Sequence, residues 1–95
     1  MPKGYSIVRV DITDPDAYAR YAKVATEAIR KHGGRLLARG GRFEAVEGAA
    51  RARNVIIEFE SFEAARAFYF SSDYQEAKAL RDGAAVVEYV LVEGA

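Results

Sequence analysis

The chain has 95 residues, of which 51% are apolar, and its 14 basic and 14 acidic side chains give a formal net charge of zero. This is the composition of one globular domain, without the positive excess that favours nucleic-acid binding. Because the chain has no cysteine and a single histidine, disulfides, thiolate metal sites and a cysteine nucleophile are excluded, and a zinc, haem or non-haem iron centre is disfavoured.

The sequence shows neither a signal-peptide pattern nor a run of roughly twenty apolar residues. We therefore expect a cytoplasmic protein whose residues 1–95 form one domain, with no metal, cofactor, membrane or nucleic-acid partner. Charge is unevenly distributed, because residues 30–53 hold seven cations and two acids whereas residues 54–95 are mainly acidic. The basic part suits a small anion, or the two parts pair with each other within or between chains.

The first predicted strand covers residues 5–12, where apolar and polar side chains alternate from Val8 onward. Tyr5 and Ile7 share the side of Arg9. Neither side of this strand is therefore fully polar.

A helix is predicted next, and it is the clearest element of the pattern. Thr13 or Asp14 supplies the capping oxygen, and Pro15 fits the first turn, where its missing N–H has no cost. Apolar residues then recur at helical spacing as far as Ile29. Gly33 follows as a C-terminal cap.

A central hairpin follows. Residues 35–38 are predicted as a strand that bends at Gly40-Gly41 and resumes over residues 43–46, since paired glycines inside a strand pattern indicate a bulge or a sharp bend. The chain returns over residues 54–60, where Val55, Ile57 and Phe59 form an apolar side.

The second helical segment begins at the capping residue Ser61 and is interrupted at residues 71–73, where Ser72 and Gln75 have capping-box spacing. Residues 85–93 form the last strand, which is apolar on both sides. The order is therefore βαββαβ. With right-handed crossovers, this order predicts an α+β protein with a ferredoxin-like antiparallel sheet and its helices on one face.

The face of the sheet away from the helices carries too much apolar surface for a monomer. Tyr5, Ile7, one of the pair Leu36 and Leu37, Ile56 and several residues of the last strand lie there, and contiguous apolar areas of this kind are usually interfaces. We expect a homodimer in which the two sheets pack face to face.

The sequence resembles the family called domain of unknown function 1330, within the dimeric α/β-barrel superfamily. The resemblance runs along almost the whole chain, and its more specific segments are Leu37-Ala38-Arg39-Gly40-Gly41 and Ile57-Glu58-Phe59; other matching residues include Gly4-Tyr5, Asp14-Pro15, Tyr18, Tyr21, Glu47-Gly48, Arg53, Ser61, Tyr69, Tyr74-Gln75 and Arg81. The resemblance implies a ferredoxin-like fold and a homodimer forming a dimeric α/β barrel, and it supplies no activity. Phe68 and Ala50-Arg51 depart from the family pattern, where tryptophan is frequent, so a pocket lined by those positions would differ here.

Four residues are the candidates for a ligand-binding site: Arg9, Arg39, Glu58 and Tyr69. Arg39 precedes two glycines and could hold a carboxylate through two parallel hydrogen bonds, or it pairs with Glu44 or Glu58. Ion pairing explains Arg9 and Glu58 equally well without a ligand.

The histidine, the tyrosines and the serines do not identify a catalytic residue. His32 could be a general base, although its place in the last helical turn is an ordinary helix ending. The tyrosines of the helices, at positions 18, 21, 69 and 74, are either core residues or proton donors. Ser61 and Ser72 are explained by capping.

Three functions remain open from the sequence. The first is a homodimer that binds a small anionic or aromatic metabolite in a cleft between sheet and helices. The second is a cofactor-independent enzyme, an oxygenase or an isomerase, acting on a small metabolite. The third is a dimerisation module whose only partner is a second copy.

Overall fold

The structure, a computed structural model, describes residues 2–95. Its elements follow the predicted order, with the second helical segment divided in two. The strands are β1 (Gly4–Ile12), β2 (Arg35–Arg39), β3 (Arg53–Phe59) and β4 (Ala85–Glu93), and the helices are α1 (Pro15–Lys31), α2 (Phe62–Tyr69) and α3 (Ser72–Ala79).

The four strands form one antiparallel sheet in the order β2-β3-β1-β4. The central strand β1 is hydrogen-bonded on both edges, so that Ile7 lies opposite Ile56 on one side and Val90 on the other. All three helices lie on one face. The predicted α+β, ferredoxin-like fold is confirmed.

The core lies between this sheet face and the helices. Alternate residues of β1 and β3 are buried there, among them Val10 and Phe59, because side chains two apart point to the same side of a strand. Phe68 and Tyr74 cover them from α2 and α3. Ser6 is the one buried polar residue in the core of residues 2–95, and its hydroxyl accepts a hydrogen bond from Tyr89 at 2.9 Å.

The first helix begins and ends as the sequence predicts. The Asp14 carboxylate accepts a hydrogen bond from the Ala17 amide at 3.2 Å, and Pro15 occupies the first turn. Gly33 follows the helix with a φ of 76°, in the left-handed region that glycine adopts without strain.

The break between α2 and α3 is confirmed, but the predicted capping residue is wrong. Ser71, not Ser72, caps α3, since its hydroxyl accepts from the Tyr74 amide at 3.2 Å. The same hydroxyl donates to the Phe68 carbonyl at 2.7 Å. One side chain therefore hydrogen-bonds to the last turn of α2 and to the first turn of α3. Two adjacent serines offer the same chemistry, and spacing alone does not distinguish them.

The predicted course of the central hairpin is also wrong in part. The irregularity lies at Leu37, where the register shifts between Leu36 and Ala38, and not at Gly40-Gly41. Residues 41–50, which we call the arm, are exposed and have no regular structure. Because β3 begins only at Arg53, residues 43–46 face no strand with which to pair.

Gly40 turns the chain into the arm. Its φ is 65°, and its amide donates to the Asn54 carbonyl at 2.9 Å. The Arg53 guanidinium occupies the space that a side chain at Gly40 would need.

Within residues 2–95, no helix is both long enough and apolar enough to cross a lipid bilayer.

Replacing Gly4 by alanine tests the close packing of β1 under the start of α2. A methyl group there would meet the backbone of Ser61 and Phe62, with the Phe62 nitrogen only 2.6 Å away. We expect Gly4→Ala to lower the free energy of unfolding by roughly 1–3 kcal/mol in urea titrations, as overpacking does. The control Gly41→Ala, where nothing lies within 4 Å and φ is not positive, should leave it unchanged or slightly higher. Equal stability of the two variants would contradict this packing.

The two adjacent serines give a second test. We expect Ser71→Ala to lower the free energy of unfolding by about 1 kcal/mol, because the Tyr74 amide loses its acceptor. Ser72→Ala removes no capping bond and should change stability by less than about 0.5 kcal/mol. Thermal and urea denaturation of both variants measure the difference, and the reverse order would make Ser72 the cap.

Candidate functional site

A cavity lies between α1 and the sheet. Helix α2 lies directly on β1, β3 and β4, whereas a gap remains between part of α1 and the strands β2 and β3. This gap has a volume of about 340 Å³. Lys23 and Arg39, which are exposed, mark its mouth.

The lining of the cavity is apolar, phenolic and cationic. Aliphatic side chains form the walls, four tyrosines contribute rings, three cations are present, and one threonine donates its hydroxyl to the Ala22 carbonyl. These residues are Val8, Ala22, Ala25, Ile29, Leu36, Val55 and Ile57, then Tyr18, Tyr21, Tyr74 and Tyr89, then Lys23, Arg39 and Arg53, and finally Thr26. No carboxylate or imidazole from residues 2–95 lines it. The cavity is therefore suited to an apolar group that carries a negative charge.

Two of the tyrosines hydrogen-bond to each other. The hydroxyl oxygens of Tyr21 in α1 and Tyr74 in α3 are 2.8 Å apart. Burial raises the pKa of Tyr21, and the nearby Tyr74 hydroxyl acts in the same direction. Tyr21 is therefore a protonated hydroxyl at neutral pH.

Tyr89 reaches the cavity from β4 but uses its hydroxyl elsewhere. Its hydroxyl donates to Ser6 in the neighbouring strand. Burial raises the pKa of Tyr89 as well. The ring of Tyr89 therefore lines the cavity, and its hydroxyl joins β4 to β1 through the hydrogen bond to Ser6.

Arg81, in the turn after α3, lies behind the tyrosine pair. Its Nη2 is 3.4 Å from the Tyr74 hydroxyl oxygen, and its guanidinium carbon is 5.1 Å from the centre of the Tyr21 ring. Its Nε is buried without a hydrogen-bond partner in residues 2–95. A positive charge thus lies next to the polar end of the cavity.

Arg39 and Arg53 bring two guanidinium groups to the cavity from neighbouring strands. Arg53 lies 5.7 Å from the centre of the Tyr18 ring, and its Nε is buried without a partner in the described residues. Neither arginine forms an ion pair within residues 2–95, so the alternative pairing of Arg39 with Glu44 or Glu58 is not observed.

The structure does not bring the four sequence-predicted site residues together. Arg39 lines the cavity. Arg9 and Glu58 lie on the opposite face of the sheet, where Glu58 accepts a hydrogen bond from the Tyr5 hydroxyl at 3.2 Å. Tyr69 lies behind the cavity wall and packs against Tyr89 at 4.8 Å between ring centres. Contact of any of these residues with a ligand stays a prediction.

The bulge at Leu37 explains this separation. Arg35 lies opposite Glu58 on the open face, and in a regular strand Arg39 would lie on that face too. The extra residue instead places Arg39 opposite Val55, on the cavity side.

A charged cluster on the open face was not foreseen from the sequence. The Asp11 carboxylate accepts from Arg51 Nη1 at 2.7 Å and from the Ala52 amide at 2.9 Å, and these bonds, led by the backbone one, hold the pKa of Asp11 below its usual range. Arg51 Nε lies 3.4 Å from Glu88. The cluster anchors the end of the arm to β1 and β4.

His32 and the serines have structural partners. His32 Nε2 is 3.3 Å from the Asp73 carboxylate, and its ring contacts Phe68 at 5.8 Å between centres. It does not line the cavity. These contacts support the interpretation of His32 as a helix ending. Ser61 caps α2 as predicted.

Sequence reasoning missed Lys23, Arg53 and Arg81. A signal existed for Arg53, which precedes Val55 by two residues and therefore shares its side of β3. No comparable signal existed for Arg81, whose position beside Tyr74 depends on the turn after α3.

Solved structures with this fold come from several bacteria. A protein of unknown function from Rhodopseudomonas palustris has a TM-score of 0.77 and 18% identity, and the match covers 99% of this chain and 83% of that one. A dimeric ferredoxin-like protein of unknown function from Thermobifida fusca has a TM-score of 0.64 and 12% identity, with 97% and 91% covered. SnoaB, a cofactor-independent oxygenase from Streptomyces nogalater, has a TM-score of 0.67 and 11% identity, with 97% and 92% covered.

At these identities, the solved structures show a shared fold alone. Comparison with curated proteins gives no match. The sequence profile of the family described as Domain of unknown function (DUF1330) matches residues 3–95. The chain therefore belongs to the domain of unknown function 1330 family, as its sequence pattern predicts.

Proposed function

We propose that this protein is a homodimer that binds a small aromatic anion in the cavity between α1 and the sheet. One observation carries the proposal: the lining joins tyrosine rings and aliphatic walls to three cations without a single acidic group from residues 2–95. At about 340 Å³, the cavity falls within the range of small-molecule sites, roughly 300–1,000 Å³.

The two arginines supply the reason for an anion. A guanidinium without a carboxylate partner retains donors that a ligand carboxylate can accept through two parallel bonds. Arg53 has a buried Nε with no partner in the described residues, and leaving such a donor unpaired costs stability. A bound carboxylate would accept hydrogen bonds from the guanidinium groups that line the cavity.

The tyrosines supply the reason for an aromatic ligand. Ring faces and edges attract other rings in tilted or offset arrangements. Tyr18 and Tyr21 already adopt such a pair, with centres 5.1 Å apart, and both present surface to the cavity.

The cavity also bears on the other two functions considered. A module that only dimerises would be expected to fill its core, so an open cavity with unpaired cations favours binding. Catalysis has no separate observation in its favour, since the fold is shared by proteins of different kinds.

The homodimer is proposed from the open face of the sheet. Val86, Val90 and Val92 of β4 are exposed there beside Ile7 and Ile56. The end of the arm reaches one part of this face, at Asp11 and Glu88, and leaves the valines exposed. A second copy would bury it, on the scale of about 800 Å² per partner, and would enclose Arg9 and Glu58. The dimeric protein from Thermobifida fusca supports the proposal.

Binding is tested with 2-naphthoate, an aromatic monoanion, and with its neutral isostere 2-naphthamide. We expect saturating 2-naphthoate to raise Tm, by roughly 4–8 °C for each kcal/mol of binding stabilisation. Arg39→Gln should weaken binding about tenfold, equal to about 1.4 kcal/mol. Isothermal titration calorimetry measures both.

Arg35→Gln is the matched control, because Arg35 occupies the same strand but lies on the open face opposite Glu58. We expect unchanged affinity in this variant and in Glu58→Gln. Absence of any Tm shift with 2-naphthoate, or equal binding of the amide, would refute the proposed ligand class.

The dimer is tested by Val90→Glu. Val90 lies opposite Ile7 near the centre of the open face and is 55% exposed in the protomer, so a carboxylate there would be desolvated between two sheets. We expect light scattering at micromolar concentration to report two chains for the unmodified protein and one for this variant.

The control is Val24→Glu, which places the same charge on the outer surface of α1, where Val24 is 42% exposed. It should remain a dimer. A single-chain mass for the unmodified protein would overturn the proposed assembly.

A further inference from the structure

The lining of the cavity carries a hydrogen-bond donor that the protein does not use. The Tyr21–Tyr74 pair has two hydroxyl hydrogens, and only one of them lies between the two oxygens, which are 2.8 Å apart. Neither hydroxyl has another acceptor within residues 2–95. Whichever tyrosine donates to the other, one hydrogen is therefore left over.

Arg81 favours one direction for this small chain of bonds. Arg81 donates to the Tyr74 oxygen, although the bond is long at 3.4 Å. An oxygen that accepts from a cation becomes a stronger donor, which favours donation from Tyr74 to Tyr21. The unused hydrogen is then that of Tyr21, whose side chain lines the cavity.

Burial makes the unused hydrogen significant. Tyr74 is 1% exposed and Tyr21 is 8% exposed, so the pair is reached chiefly through the cavity that both side chains line. A buried donor without an acceptor is unfavourable, and a ligand oxygen that accepts the bond removes the penalty.

We infer that the Tyr21–Tyr74 pair, with Arg81 behind it, binds a carbonyl or phenol oxygen at the inner end of the ligand. The inference rests on the proposed function and makes it more specific. The ligand is then an aromatic acid with its carboxylate at the arginines of the mouth and a second oxygen at the opposite end.

Two other tyrosines of the cavity provide controls. The Tyr89 hydroxyl already donates to Ser6, so it has no hydrogen to offer. The Tyr18 hydroxyl makes no hydrogen bond within residues 2–95, but Tyr18 lies beside Arg53 rather than Arg81. Tyr18 is therefore the competing candidate for any second oxygen.

The experiment compares 2-naphthoate with 6-hydroxy-2-naphthoate, which differ only in the second oxygen. We expect the unmodified protein to bind the hydroxylated probe about tenfold more tightly. In Tyr21→Phe the two probes should bind within about twofold of each other, whereas Tyr89→Phe and Tyr18→Phe should keep the preference. Calorimetry gives the affinities, and the titration of the Arg81→Gln variant described next tests the same site independently if Tyr21→Phe does not fold.

A spectroscopic measurement separates binding from a purely structural role. A nearby cation and a donated hydrogen bond both favour the ionised form of a phenol. We expect absorbance titration of bound 6-hydroxy-2-naphthoate to give a higher pKa for its phenol in Arg81→Gln than in the unmodified protein, and equal values would contradict a phenol placed beside Arg81.

The outcomes distinguish this inference from the proposed function. If neither probe binds, both fail. If both probes bind equally to the unmodified protein, or if the preference is lost in Tyr18→Phe and kept in Tyr21→Phe, the inference fails while the proposed aromatic-anion site remains.

Discussion

The contact between α1 and α3 is the feature on which the rest of this structure depends. Tyr21 and Tyr74 join the two helices through a hydrogen bond of 2.8 Å and an edge-on contact of their rings. The same helix α1 forms one side of the cavity above β2 and β3. The bond between the two helices therefore also supplies polar atoms to the lining of the cavity.

The sheet has two apolar faces that are used differently. The face under the helices is only partly filled, because a cavity remains between α1 and the strands β2 and β3. The other face carries exposed valines of β4 and is the basis of the proposed dimer. The polar groups divide accordingly: Arg39 and Arg53 lie on the cavity side, whereas Arg9, Glu58 and the Asp11–Arg51 cluster lie on the open side.

Much of the fold was predictable because its signals are local. The Asp14-Pro15 cap, the alternation around Val8 and Val10, and the interruption after Tyr69 depend on neighbours in sequence. The site was predicted less well. Arg39 was identified, but its grouping with Arg9 and Glu58 assumed a regular strand, and the bulge at Leu37 turns Arg39 to the other face. The register of two strands decides such a bulge, and one strand's residue pattern does not reveal it.

The sequence by itself determined the order of the elements, the antiparallel sheet, the apolar character of both sheet faces and the family. These properties follow from periodicity and capping, which act over a few residues. Only the tertiary structure decided that a cavity lies between α1 and the sheet, that Arg81 lies 3.4 Å from Tyr74, and that Arg53 and Arg39 share that cavity. Those placements depend on contacts between side chains far apart in sequence and on how closely whole helices and strands pack. The pattern of residues along the chain contains neither kind of information.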